Sequence, residues 1–359
     1  MKRILSVNLC ILLLFVGSGC VKNNKPLVTR GFYYWKSNEY SLDEQELDHI
    51  KYLDVRKLYV KFFEVEPDPV FGAIPVAKTD LNVWDDENTA EKYLPYHANM
   101  RTLEIVPTVF VRNDVLTKLN PNELDTLADN MNFLISKYFN KNIHTGQFFR
   151  EIQVDCDWTK STRDNYFYLL RSLKKISHKT ITCTLRLYPY KYSDVMGVPP
   201  VDRATLMCYN LINPLQNENK NSILNTEELE PYLRPSKKYD VPLDIALPVF
   251  SWMLVYQNGE FSGLVKKNAS ELHGALDSIR PMWYTVNRDI ELDDIYLRQG
   301  DRIKKEEVTP ATLIETIRLL KEYVPLGDSV TVTFFHLDAD NLKYFADETL
   351  DSCYSHFSR

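Results

Sequence analysis

Residues 151–159 read EIQVDCDWT, and two carboxylates, Asp155 and Asp157, sit two apart inside an apolar run. A buried charge without a partner is costly, so the doublet needs either cationic partners or a task. Paired carboxylates can serve as acid and base, or as acid and nucleophile, on a glycosidic bond. Strand alternation places Gln153, Asp155 and Asp157 on one face and Ile152, Val154, Cys156 and Trp158 on the other. In a closed barrel the polar face points inward, with Asp157 nearest the C-terminal mouth, where barrel enzymes build active sites. The run ITCTLRLY (181–188) carries a matching polar track of Thr182, Thr184, Arg186 and Tyr188. Adjacent strands lie about 4.8 Å apart, so Arg186 is placed to pair with Asp155 or Asp157, and Lys61 is a second counter-charge. From spacing alone, a structural ion-pair network and a catalytic site stand about equal.

The elements that must position these residues follow one pattern. Short runs rich in Val, Ile, Tyr and Phe occupy 31–35, 57–65, 103–111, 151–158, 181–188, 204–210, 244–252 and 330–337. Amphipathic stretches alternate with several of them. One follows Ser41, read as an N-cap with Glu44 three residues on. Others start at Asn120 and Ser161, and another has Thr309 as cap with Pro310 at the first helical position. Eight strands interleaved with helices predict an α/β fold, a (β/α)8 TIM barrel. An open doubly wound sheet is the alternative, but no GxGxxG or P-loop pattern supports its nucleotide-binding forms. Residues 66–100 and 253–308 exceed a minimal barrel and read as insertions after strands 2 and 7, the second with a hairpin at Gln257-Asn258-Gly259.

The first twenty residues differ in kind. Lys2 and Arg3 precede an apolar run from Ile4 to Val16, then small residues lead to Cys20. This predicts a secretory signal over 1–19, too short for a spanning helix with its own flanks. VGSGC resembles the lipobox of bacterial lipoproteins, in a relaxed form similar to those of Bacteroidetes. The resemblance implies lipidation of Cys20, a tether over 20–28, and a cell-envelope, outer-membrane location for a barrel over 29–359. Cys156, Cys183 and Cys208 lie in strand-like runs and read as buried free thiols rather than disulfides. No CxxC or HExxH spacing exists, so neither a metal nor a cofactor is expected. The net charge of -6 and the absence of a basic tract argue against nucleic acid. The 22 Tyr, 17 Phe and 5 Trp are enough both to fill a core and to line a sugar-binding cleft.

VDCDWT resembles the fourth-strand motif DGxDxDWE of family 18 glycoside hydrolases, with Asp155 and Asp157 at its second and third aspartates and Trp158 at its Trp. MCYN (207–210) is similar to the sixth-strand Met-x-Tyr-Asp motif, with Asn210 in place of Asp. LPVFSW (247–252) is similar to the seventh-strand segment. The chain also resembles an uncharacterised bacterial family, domain of unknown function 3142. The resemblance implies a glycoside hydrolase-like barrel in which Asp157 would position the substrate's acetamido group. Two places depart from it. Ile152 replaces the first aspartate, and Thr159 stands where the family carries its acid, Glu; a threonine hydroxyl cannot protonate a leaving group near neutral pH.

Replacement carboxylates are available at strand ends: Glu64 and Glu66 after strand 2, Asp338 and Asp340 after strand 8. Asp157 with Glu64 is the preferred pair, and Asp155 completes the candidate catalytic set. Candidate substrate-binding residues are Tyr34, Trp35, Arg186, Tyr188, Tyr209, Asn210, Trp252 and His336, all near strand C-termini. Three functions remain open: a lipid-anchored glycosidase, a glycan-binding barrel that has lost catalysis, and an envelope scaffold whose doublet only closes an ion-pair network. The expected partners are a carbohydrate ligand and a membrane reached through the lipid, with the protein itself a monomer.

Overall fold

The structure is a computed structural model describing residues 26–36, 41–79, 81, 96–143, 148–234, 238–272, 274–292 and 295–358. The signal segment, Cys20 and most of the tether lie outside the described residues. Eight parallel strands close on themselves: β1 (Leu27–Tyr34), β2 (Lys57–Asp68), β4 (Glu104–Val111), β5 (Glu151–Asp155), β6 (Thr180–Leu185), β7 (Arg203–Met207), β8 (Leu243–Pro248) and β16 (Ser329–Phe335). Strand β1 pairs with both β16 and β2, so the sheet has no open side there. At this seam Gly31 faces Thr333 and Lys57; an added Cβ would come within 3.0 Å of Thr333 Oγ1. Leu27 and Val28, assigned to the tether by sequence, are the first two residues of β1.

The helices follow their capping chemistry. Asn120 caps Pro121–Asn142 in a capping box with Glu123, and Thr309 caps Pro310–Tyr323. The first helix is capped by Asp43, not Ser41, with Glu46 closing the box; the S-L-D-E-Q-E stretch offers two caps two residues apart. Leu124, Leu127, Met131 and Ile135 recur at three- and four-residue intervals and are buried, as are Tyr166, Leu169, Leu170 and Leu173 on the helix Arg163–Ser177. Strand residues facing these helices, such as Ile152, Val154, Ile181 and Cys183, are fully buried. Cys156, Cys183, Cys208 and Cys353 are free and buried, and burial pushes the thiols of the first three up.

The expected insertion after strand 7 is a five-stranded antiparallel sheet of β9 (Trp252–Gln257), β10 (Glu260–Val265), β11 (Leu276–Arg280), β12 (Trp283–Val286) and β15 (Arg302–Glu306), in the order β10-β9-β15-β12-β11. A two-stranded pair, β13 (Ile290–Leu292) and β14 (Ile295–Leu297), completes it. Its hairpin turns at Asn258 and Gly259, φ 53° and 86°, the double positive φ of a type I′ turn. One sheet face carries its own core of Met253, Val255, Val286, Leu297 and Ile303. The other face covers the loop after β7. There Lys304 and Glu306 pair at 2.6 Å with 0% of either side chain exposed. Lys304 Nζ donates to the carbonyls of Asn217 and Lys220; Trp252 Nε1 and Ser222 Oγ donate to Glu306. After β2, the chain extends into a hairpin with β3 (Gly72–Val76); the remainder of that insertion is largely outside the described residues.

Candidate functional site

The barrel interior is polar in layers. Near its N-terminal end, Lys57 pairs with Glu151, and Arg203 grips Asp244 with two nitrogens at 2.9 and 2.7 Å. Midway, Tyr33 Oη donates to Gln153 at 2.8 Å, and Gln153 Nε2 donates to Thr205. Toward the C-terminal mouth, Asp155 accepts a 2.5 Å hydrogen bond from Thr184. Inward-facing polar residues at the strand-4 and strand-5 positions therefore follow the expected alternation up to Asp155.

Beyond it the strand ends, and Asp157 lies on the following turn, about half exposed. Arg186 meets it in a bidentate pair, Nε to Oδ1 at 2.6 Å and Nη2 to Oδ2 at 3.0 Å. The sequence left Arg186 with two possible partners; the structure gives it Asp157. Asp155 keeps only its hydroxyl partner, and its carboxyl is pushed up to about 6. Burial is the main cause; Thr184 opposes it, the Asp157 charge adds to it, Arg186 relieves it, and Glu64 adds a little.

Glu64 and Asp155 occupy one register row, each aligned with Phe110 on the strand between them. Two strand spacings separate them, about 10 Å between backbones. Lys61, considered as a counter-charge for the doublet, instead binds Glu64 at 2.7 Å and lies over the Trp35 ring. Glu66 pairs with Arg112 at 3.5 Å. Asp338 accepts from the Asp340 backbone as a helix cap, and Asp340 pairs with Lys343 at 3.1 Å.

The aromatic candidates divide. Tyr34 does not reach the mouth: it is fully buried on the face opposite Tyr33, whose hydroxyl enters the barrel. The run GFYYW is apolar throughout, so it gives no polar phase to tell inside from outside. Tyr33, unremarked in the sequence, is the inward residue. Trp35 is partly exposed and packs on Tyr33 and Phe335. Tyr209 is buried against Phe335 and Phe250, closing the barrel top. Asn210 follows it in an exposed left-handed turn, φ 54°. Trp252 is not the end of the seventh barrel strand; β8 stops at Pro248, and Trp252 opens β9 while packing at a tilt against Phe250. His336 follows β16 with Nε2 3.8 Å from Asp338. Its imidazole is held down at about 4, chiefly by burial, against the raising influence of Asp338.

Outside this plug lies a cleft of about 400 Å³ lined by Asp157, Trp158, Thr159, Lys160, Arg186, Tyr188, Pro189 and Met196. Tyr188 is 51% exposed and pairs with Tyr192, ring centres 4.7 Å apart. Trp158 forms the floor: its ring stacks on Tyr166, and its Nε1 donates to the Met196 carbonyl. Thr159, at the place of the family acid, exchanges hydroxyl hydrogen bonds with Ser161 and Thr162 where the chain turns into the following helix. Lys160 and Tyr192 were missed in the sequence, where neither falls on a strand or within a motif.

No family model matches the chain, and no curated protein does. Among solved structures, the chain is similar to the Bacillus megaterium spore cortex-lytic enzyme SleL, with a TM-score of 0.51, 13% identity, and coverage of 90% of this chain and 75% of that one. The Bacillus cereus SleL is similar at TM-score 0.49 and 13% identity over 91% of this chain and 74% of that one. The chitinase-like agglutinin of Robinia pseudoacacia is similar at TM-score 0.49 and 10% identity over 90% of this chain and 99% of that one. The first likeness agrees with the closed eight-stranded parallel sheet: the chain is a (β/α)8 barrel.

Proposed function

We propose that the chain is a glycoside hydrolase-like barrel that binds a carbohydrate in the cleft beside Asp157, Arg186 and Tyr188, without the family 18 acid step. The cleft carries this reading. It joins an exposed tyrosine face, suited to stacking on a pyranose, to a fixed carboxylate–guanidinium pair suited to hydroxyl groups. The solved neighbour with the higher TM-score is named as a spore cortex-lytic enzyme, which supports a polysaccharide ligand. Thr159 has no ionisable group, and its hydroxyl is engaged in a helix-start turn. Lipidation at Cys20 would hold the barrel at the cell envelope; the basic, apolar and small-residue order of residues 1–20 supports this. Isothermal titration against a panel of oligosaccharides, with reducing-end release measured in parallel, tests the function. Binding without release, weakened by Tyr188→Ala, is expected; binding to none of the panel overturns it.

A second reading keeps catalysis. Asp155, pushed up to about 6, would protonate the leaving oxygen, while Glu64 would take a proton from the attacking water. Their backbones stand two strand spacings apart in one register row, about 10 Å, which suits the wider carboxylate separation of inverting enzymes, about 6.5–9.5 Å, better than the retaining one. Release that disappears in both Asp155→Asn and Glu64→Gln would support this reading, and release indifferent to either would sink it.

A further inference from the structure

Resting on the carbohydrate-binding reading, the geometry points to an acidic glycan, bearing a carboxylate or sulfate group, as the ligand of the Tyr188 cleft. Among the lining residues Asp157 is the only carboxylate, and Arg186 already holds both its oxygens. Lys160 lines the same cleft, is exposed, and has no ion-pair partner among the described residues. A second cation, Lys191, lies 5.3 Å from the centre of the Tyr192 ring, which itself packs against Tyr188. Lys191 likewise has no carboxylate partner among the described residues.

The arrangement therefore leaves one unpaired ammonium at the cleft, Lys160, and a second, Lys191, close by over the Tyr192 and Tyr232 rings, while the one carboxylate of the lining is already neutralised. A neutral sugar would use the rings and leave the Lys160 ammonium to solvent. A sugar with an anionic substituent would stack on Tyr188 and meet the Lys160 ammonium at the cleft, with Lys191 adding its charge from beside Tyr192. The chain as a whole is acidic, with a net charge of -6, so this local excess of cations runs against the overall field. An exposed ammonium–anion contact contributes modestly, about threefold to fivefold in affinity each, and salt screens it over a Debye length of about 8 Å at physiological ionic strength.

The test is titration of the full mature chain with three probes of equal length: a neutral oligosaccharide, an oligo-uronate and a sulfated oligosaccharide. The oligo-uronate, the sulfated probe or both should bind about tenfold tighter than the neutral one, and added salt should erase the difference. Lys160→Ala and Lys191→Ala should each lower the acidic-to-neutral affinity ratio by about threefold to fivefold. The response of the two acidic probes distinguishes carboxylate from sulfate recognition. Equal affinity for neutral and acidic probes, or a ratio unmoved by both lysine variants, overturns the inference while leaving carbohydrate binding intact. Failure to bind any probe overturns both.

Discussion

Arg186 grips Asp157 with two nitrogens, at 2.6 and 3.0 Å, and leaves the neighbouring Asp155 to a single threonine hydroxyl at 2.5 Å. Two carboxylates that look alike in sequence are thereby separated. One is an exposed, paired anion at the cleft. The other is an unpaired carboxyl inside the mouth that favours its proton.

The pair predicts a division between stability and binding. Both side chains are substantially exposed, 34% for Arg186 and 49% for Asp157, so solvent discounts their attraction. Arg186→Met should cost about 1 kcal/mol or less in denaturant unfolding, yet abolish measurable glycan affinity in titration. A large stability loss with binding retained would make the pair a structural strut instead.

Asp155 and Glu46 predict an unusual acid profile. Asp155 is pushed up to about 6. Glu46, in the first turn of the first helix and paired with Lys36 at 2.8 Å, is pushed up to about 7, mainly by burial. For both, the folded state holds its proton more tightly than the unfolded chain. Stability should therefore fall as pH rises from about 4 toward 7 through these two groups. Urea midpoints measured across that window should decline less steeply in Asp155→Asn and in Glu46→Gln than in the parent chain. An equal slope in both variants would contradict the assignment.

His336 acts in the opposite sense. Its imidazole is held at about 4, below its unfolded value, so its neutral form stabilises the fold above about pH 6.5. That contribution is lost as pH falls toward 4. In a proton NMR titration the His336 ring signals should stay unshifted between pH 7 and 5; a midpoint near 6.5 would refute this.

The Lys304–Glu306 pair predicts a large penalty for half-removal. Lys304→Met would leave Glu306 buried without its cation, a loss of about 3–5 kcal/mol. Adding Glu306→Gln removes the stranded charge and retains an acceptor for Trp252 and Ser222, so the double variant should unfold at higher denaturant than Lys304→Met alone. Equal midpoints for the single and double variants would mean that solvent reaches the pair.

Much of this was legible in sequence because periodicity reports burial. All eight barrel strands and the Asn258–Gly259 hairpin lie where alternation and turn chemistry place them. The ends were harder. The reading carried strands 4 and 7 through Trp158 and Trp252, but β5 stops at Asp155 and β8 at Pro248, because apolar side chains continue into buried turns and an adjoining sheet. Tyr34 was misplaced for a related reason, since a strand apolar on both faces has no phase. The choice between Asp155 and Asp157 as partner for Arg186 depends on side-chain reach across two strands, which spacing does not encode. Lys160 and Tyr192 became visible only when the fold set the fourth and fifth loops side by side.

The bonds around Lys304 also bear on how such a barrel changes over time. The ammonium group's remaining protons are met by two carbonyls on the loop after β7, Asn217 and Lys220, more than eighty residues earlier in the chain. A barrel that gained the insertion without that loop would bury donors facing nothing. Trimming either segment alone would therefore strand the buried polar groups of the other.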